Sequence, residues 1–179
     1  MITRILFICS LVLCLTTVSH AQRDHLTPQE VDLVKEAQAL DKRIDVFVKA
    51  AERRLIVINN SAAANAKVLK KDSERWGELP TGSRAELVGD IARIFDEAIT
   101  NIDDVSARDE RNPLIAKSLR KLATAVNTIM GQLKPLSSDA KSDAEIASFE
   151  LLHEDAQSIL EAANKLPPEV VDKKAKKNN

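Results

Sequence analysis

The sequence predicts an all-α protein: an antiparallel up-down-up-down four-helix bundle after a cleaved signal peptide. Three observations point there. Apolar residues recur every three or four positions through four long stretches, which lays them along one face of a helix. Thr27, Ser83, Asn112 and Ser142 stand ahead of those stretches, where a helix needs side chains to satisfy its first N–H groups. Aromatic residues are scarce, with one Trp, four Phe and no Tyr in 179 residues, whereas an all-β chain draws heavily on them.

Residues 1–21 read as a secretory signal peptide. Arg4 supplies the positive start, Ile5 to Val18 a mostly apolar core, and Ser19-His20-Ala21 the small residues that direct cleavage after Ala21. The apolar run falls short of the ~20 residues that span a bilayer, and no second run follows, so the mature chain should carry no integral membrane segment. Cys9 and Cys14 are preceded by the bulky Ile8 and Leu13, so neither makes a lipoprotein box. Both leave with the leader. The mature chain from Gln22 then has no disulfide and no thiolate site, and an exported, Cys-free chain points to a periplasm.

The first helix is expected from Pro28 to Ile58. Thr27-Pro28-Gln29-Glu30 makes a capping box with Pro at the first helical position. Leu33, Ala37, Leu40, Ile44, Phe47, Ala51, Leu55 and Ile58 form its stripe over about 46 Å. Leu26-Thr27-Pro28-Gln29-Glu30 is similar to the Leu-Thr-x-x-Gln signature of periplasmic Spy/CpxP-type helical chaperones, with Glu30 in place of the final Gln. Capping accounts for all five residues, and no function is carried over from them. Asn59-Asn60-Ser61 is a soft break. Ala62 to Lys71 is helical by propensity, either prolonging the first helix or starting another, and Ser73 to Gly82 is expected to be loop, with Trp76 anchoring it.

Ser83-Arg84-Ala85-Glu86 is a second capping box. Leu87, Ile91, Ile94, Phe95, Ala98, Ile102 and Val105 form the stripe of the helix it opens. Asn112-Pro113 starts the central helix, whose stripe is Ile115, Leu119, Leu122, Val126, Ile129 and Leu133, with Pro135 as its stop. The last helix begins between Ser138 and Ser142, has Ile146, Phe149, Leu152, Ala156, Ile159 with Leu160, Ala163 and Leu166 as its stripe, and ends at Pro167-Pro168. Residues 22–168 are thus the bundle domain, and 169–179 a disordered Lys-rich tail with a solubilising role.

Charge orders the helices. The four carry net charges of about 0, −3, +4 and −5 in chain order. Like-charge repulsion favours the basic helix, which has Lys117, Arg120, Lys121 and Lys134 and no acid, lying between the two acidic ones.

Little in the chain carries chemistry. Glu150 and His153 are the candidates for a metal, because Glu-x-x-His on a bundle helix is half of a di-iron carboxylate site. The second Glu-x-x-His that such a site needs is missing, and the expected metal and cofactor content is none. Asp96, Asn101, Asp103, Asp104 and Asp109 lack the turn Gly of a calcium loop and read as a solvated face paired with neighbouring Lys and Arg. No Ser sits on a nucleophile elbow, and no Gly-rich loop exists to hold phosphate. The overall charge of −1 offers no basic face for nucleic acid. Arg53-Arg54 lies beside the first stripe, where an Arg binds an anion or, more commonly, pairs with an acid on the next helix. The expectation is an exported, periplasmic, non-enzymatic protein that acts through a protein partner. The alternatives are a helical-cradle chaperone or a bundle holding a metal or small molecule.

Overall fold

A computed structural model describes residues 24–63 and 65–168 of the chain. The expected signal peptide and tail lie outside them. The described residues form six helices and no strand: α1 (Pro28–Glu36), α2 (Leu40–Ile58), α3 (Ala66–Trp76), α4 (Arg84–Arg108), α5 (Pro113–Ser138) and α6 (Asp143–Asn164). Among them no helix is long and apolar enough to cross a membrane.

The helix starts follow from the capping residues. Thr27 and Ser83 each accept from the N–H three residues on, and Glu30 and Glu86 reach back in reciprocal capping boxes. Asn112 caps α5 through Leu114 N–H, and Ser142 caps α6 through Glu145 N–H. The apolar stripes of α2, α4, α5 and α6 converge in one core, centred on Ile44, Phe47, Ile91, Phe95, Leu122 and Leu152.

The chain departs from the expected single first helix at Ala37–Ala39. There the backbone leaves the helical path and α2 restarts at Leu40 without a side-chain cap. The carbonyl freed at Ala37 is taken by Arg43 Nε at 3.2 Å. The cause lies further along. Glu30 and Arg53 are 23 residues apart and bonded at 3.2 Å, whereas an unbroken helix would hold them about 35 Å apart. The break lets α1 fold back and deliver Glu30 to α2.

The soft break at Asn59–Ser61 is a Schellman ending. Asn60 takes φ +49, while Asn60 N–H bonds Val57 O and Ser61 N–H bonds Ile56 O, each at 3.0 Å. So residues 62–71 do not prolong α2. The following helix, α3, runs five residues further than its expected end at Lys71, to Trp76, and buries none of its side chains. Gly77 ends it at φ +64, in the left-handed region that favours glycine. Pro135 does not stop α5 either. The helix continues to Ser138 with Pro135 inside it, which carries Leu136 onto the core.

The expected order of helices is changed in one respect. α4 packs most extensively on α6 and next on α2, whereas α5 lies against α6 and α2 and touches α4 more lightly. The two acidic helices are therefore direct neighbours. Exposed like charges cost a few tenths of a kcal/mol each, and buried side chains gain about 2 kcal/mol apiece, so the stripes decide. Arg84 Nε bonds Glu145 Oε1 across the same interface at 2.7 Å. The α5 lysines instead find acids on α2: Lys117 pairs with Asp41 and Lys121 with Asp45. The Lys117 hydrogen bond holds the Asp41 carboxyl below its ordinary value.

The α4–α6 contact has a cost at Asp155. Partial burial first, then Asp96 across the interface and Glu154 beside it, push its carboxyl up to about 6. An unfolded Asp titrates near ~3.9. Between those values the folded chain holds the proton more tightly, so stability falls as pH rises through about 6. Asp155→Asn is expected to raise the unfolding free energy at pH 7.5 by about 1–2 kcal/mol after allowance for solvent screening. The gain should vanish below about pH 4, as read from urea melts at a series of pH values.

Candidate functional site

Two features stand apart from the ordinary core: a buried cluster of charges and an open apolar groove. The cluster is built around Glu30. This residue is 0 % exposed, and Arg53, Arg54 and Asp90 are each 1 % exposed. The α1 capping box fixes Glu30 first, since its Oε2 accepts Thr27 N–H at 2.9 Å. Its Oε1 accepts from Arg53 Nε at 3.2 Å and from Arg54 Nη1 at 2.8 Å. Arg54 Nη2 stands 2.8 Å from Oε2, and Arg54 Nε 3.9 Å from Asp90 of α4.

Both guanidiniums also collect backbone carbonyls. Arg53 Nη2 donates to the carbonyls of Trp76, Gly77 and Glu78, while Arg54 donates to those of Ala50 and His25. Burial pushes the Arg53 guanidinium below its usual value, and Glu30 opposes the shift. The Trp76 ring lies 5.7 Å from Arg53 and joins the end of α3 to the same point. Most donors of these side chains are met by the protein itself; Arg54 Nε makes no hydrogen bond among the described residues and has Asp90 as its nearest acid. The cluster fastens α1, the 76–78 turn and α4 to α2, and Arg53 and Arg54 serve it as pairing residues rather than as an anion site.

The groove runs between α5 and α6. Its main part, ≈ 810 Å³, has Met130, Leu133 and Phe149 for its apolar floor. A continuation of ≈ 340 Å³ shares Met130 and His153 and extends along Ala156 and Leu160 to Asn164. Lys134, Glu150, His153 and Glu154 stand on the rim, all exposed. None of the four forms an ion pair among the described residues. Ile146, expected inside the core, instead leaves 42 % of its surface exposed at the mouth.

The metal candidates Glu150 and His153 thus share one edge of the groove. Among the described residues, no group of three His, Cys, Asp or Glu is placed to hold a metal ion. The acidic set on α4 is not drawn together. Asp103 and Asp104 are exposed, Asn101 accepts from Arg43 of α2 at 2.9 Å, and Asp96 faces Asp155.

The sequence flagged Arg53, Arg54, Glu150 and His153 but missed the parts that give them meaning. Glu30 reads as a capping residue and Asp90 as one of several face charges. The groove's signal was present in weak form. Met130 lies just off the α5 stripe and Leu160 widens that of α6 beside Ile159, and a stripe widened on one side marks an apolar face broader than the core requires.

The chain matches no protein-family model, and no curated protein and no solved structure shows significant similarity to it. The site's own geometry is therefore the ground for a function.

Proposed function

We propose that the protein is an exported, periplasmic, non-enzymatic antiparallel four-helix bundle that binds another protein along the α5–α6 groove. The observation that carries this reading is the groove itself. It is an elongated, open, apolar trough with Ile146 exposed at its mouth and, on its rim, charged side chains that form no ion pair among the described residues. An apolar floor inside a polar rim is the usual anatomy of a protein interface. An elongated shape suits a helix or extended segment better than a small molecule. Export rests on the leader-like residues 1–21. The bundle topology is supported by the short connections between α4, α5 and α6 and by the contacts of α2 with α4 and α5. The non-enzymatic reading is supported by the chemistry of the groove, whose polar side chains stand apart on the rim instead of converging on one point.

A photo-crosslinking residue at Gln157, on the groove, tests this in cells against one at exposed Thr100 on α4. A discrete protein adduct from position 157 and none from position 100 is expected. A broad ladder of adducts from position 157 would favour the chaperone alternative. No protein adduct from position 157 would overturn the reading.

A further inference from the structure

The groove's charges suggest what fits it. α5 and α6 run in opposite directions, since Lys134 shares the groove with Glu150 near their connecting turn and Arg120 donates to Pro167 O at the far end. The α5 side is therefore basic, with Lys134 lining the groove and Arg120 beyond its far end beside Pro167. The other is acidic, with Glu150, Glu154 and Glu161. Along α5 the lysines that face α2 are paired with Asp41 and Asp45, whereas Lys134 has no ion pair among the described residues.

We propose, building on the interaction reading above, that the occupant of the groove is a second copy of this chain. A two-fold axis parallel to the helices lays α5 of one copy over α6 of the other. Residues at the same height then meet. Lys134 of each copy faces Glu150 of the other, and Arg120 faces Glu161. Arg120 spends one N–H on Pro167 and keeps others for a carboxylate. Met130, within the groove, and Ile146, near its turn end, are covered by the other copy. The alternative axis, across the helices, would bring acidic α6 against acidic α6, and the charges reject it. The face from Ile146 to Asn164 is about 27 Å long and about two helix diameters wide. That footprint is at the low end for a stable pair, so the expected dimer is reversible, with a dissociation constant in the micromolar range.

Sedimentation velocity of the chain from Gln22 to Asn179, across a concentration series, measures it. Lys134→Glu and Glu150→Lys, both exposed and outside the core, should each raise the dissociation constant about tenfold or more. Their combination in one chain should restore it to within about threefold of the parent. Val68→Asp, on the exposed surface of α3, should leave it unchanged. A parent chain that stays monomeric to about 1 mM (well beyond the micromolar range), or a dimer indifferent to both reversals, overturns the proposal. A monomer that still yields adducts with a different protein from position 157 overturns the self-association alone and leaves the interaction reading standing.

Discussion

Glu30→Gln is expected to destabilise the docked state of α1 by about 3–5 kcal/mol at neutral pH. The substitution keeps an oxygen for the Thr27 cap and removes only the charge, so two fully buried guanidiniums lose their shared counter-ion. Glu30→Ala should cost about 1 kcal/mol more, the value of the reciprocal cap. The loss has a definite place. Leu26, Glu30 and Leu33 are the residues of the segment from Asp24 to Glu36 that are buried, so this segment depends heavily on the charge cluster. Hydrogen exchange should show amides of α1 and of the 77–80 turn accelerated about 100-fold or more, while those at the centre of α4 change much less. Unchanged exchange in α1 would show that the pair contributes little to its docking.

Phe95→Ala is expected to act differently and as strongly, with a loss of about 3–5 kcal/mol in global stability. Phe95 is fully buried on α4, the helix that packs most on α6 and next on α2. Removing the ring leaves a cavity where three helices meet, and close-packed neighbours on several sides cannot collapse into it. The urea midpoint should fall with the slope unchanged, because the same surface is still exposed on unfolding. Exchange at the centre of α4 and α6 should then rise with the global loss. A shift below about 1 kcal/mol would mean that the site relaxes around the deletion.

Those two residues mark the boundary of what the sequence makes legible. Phe95 belongs to a stripe whose spacing alone places it in the core. Periodicity and capping are local properties, and they locate α4, α5 and α6 and the start of α1. Glu30 is also legible, but only as a cap. Its second role depends on Arg53 and Arg54 coming close, and nothing local at Ala37–Ala39 announces the fold-back that brings them. Those residues are Ala, Gln and Ala, all good or acceptable in a helix. A distant ion pair overrides them. The position of α5 is illegible for a related reason. Net charge per helix conceals which face holds the charge, and the neutral first helix presents Asp41 and Asp45 to the α5 lysines. Pro135 lies in the last turn of α5, where one missing N–H costs less than the packing of Leu136 contributes. The groove was the least legible feature, because it is a property of two helices side by side and Ile146 reads in sequence as one more core residue.

Two charges of the cluster, Glu30 and Arg53, meet helix ends, and this bears on the field that the molecule presents to its surroundings. Glu30 lies in the first turn of α1, where the aligned peptide dipoles amount to about half a positive charge. Arg53 meets the last carbonyls of α3, at Trp76 and just beyond, where they amount to about half a negative charge. Read through space, the signs alternate from the end of α1 through Glu30 and Arg53 to the end of α3. Arrays of alternating sign cancel rapidly with distance. A strongly charged interior is thereby made nearly silent outside, and the long-range potential is left to the exposed charges, those on the walls of α5 and α6 among them. Salt should weaken what happens at those walls while hardly touching the buried pairs.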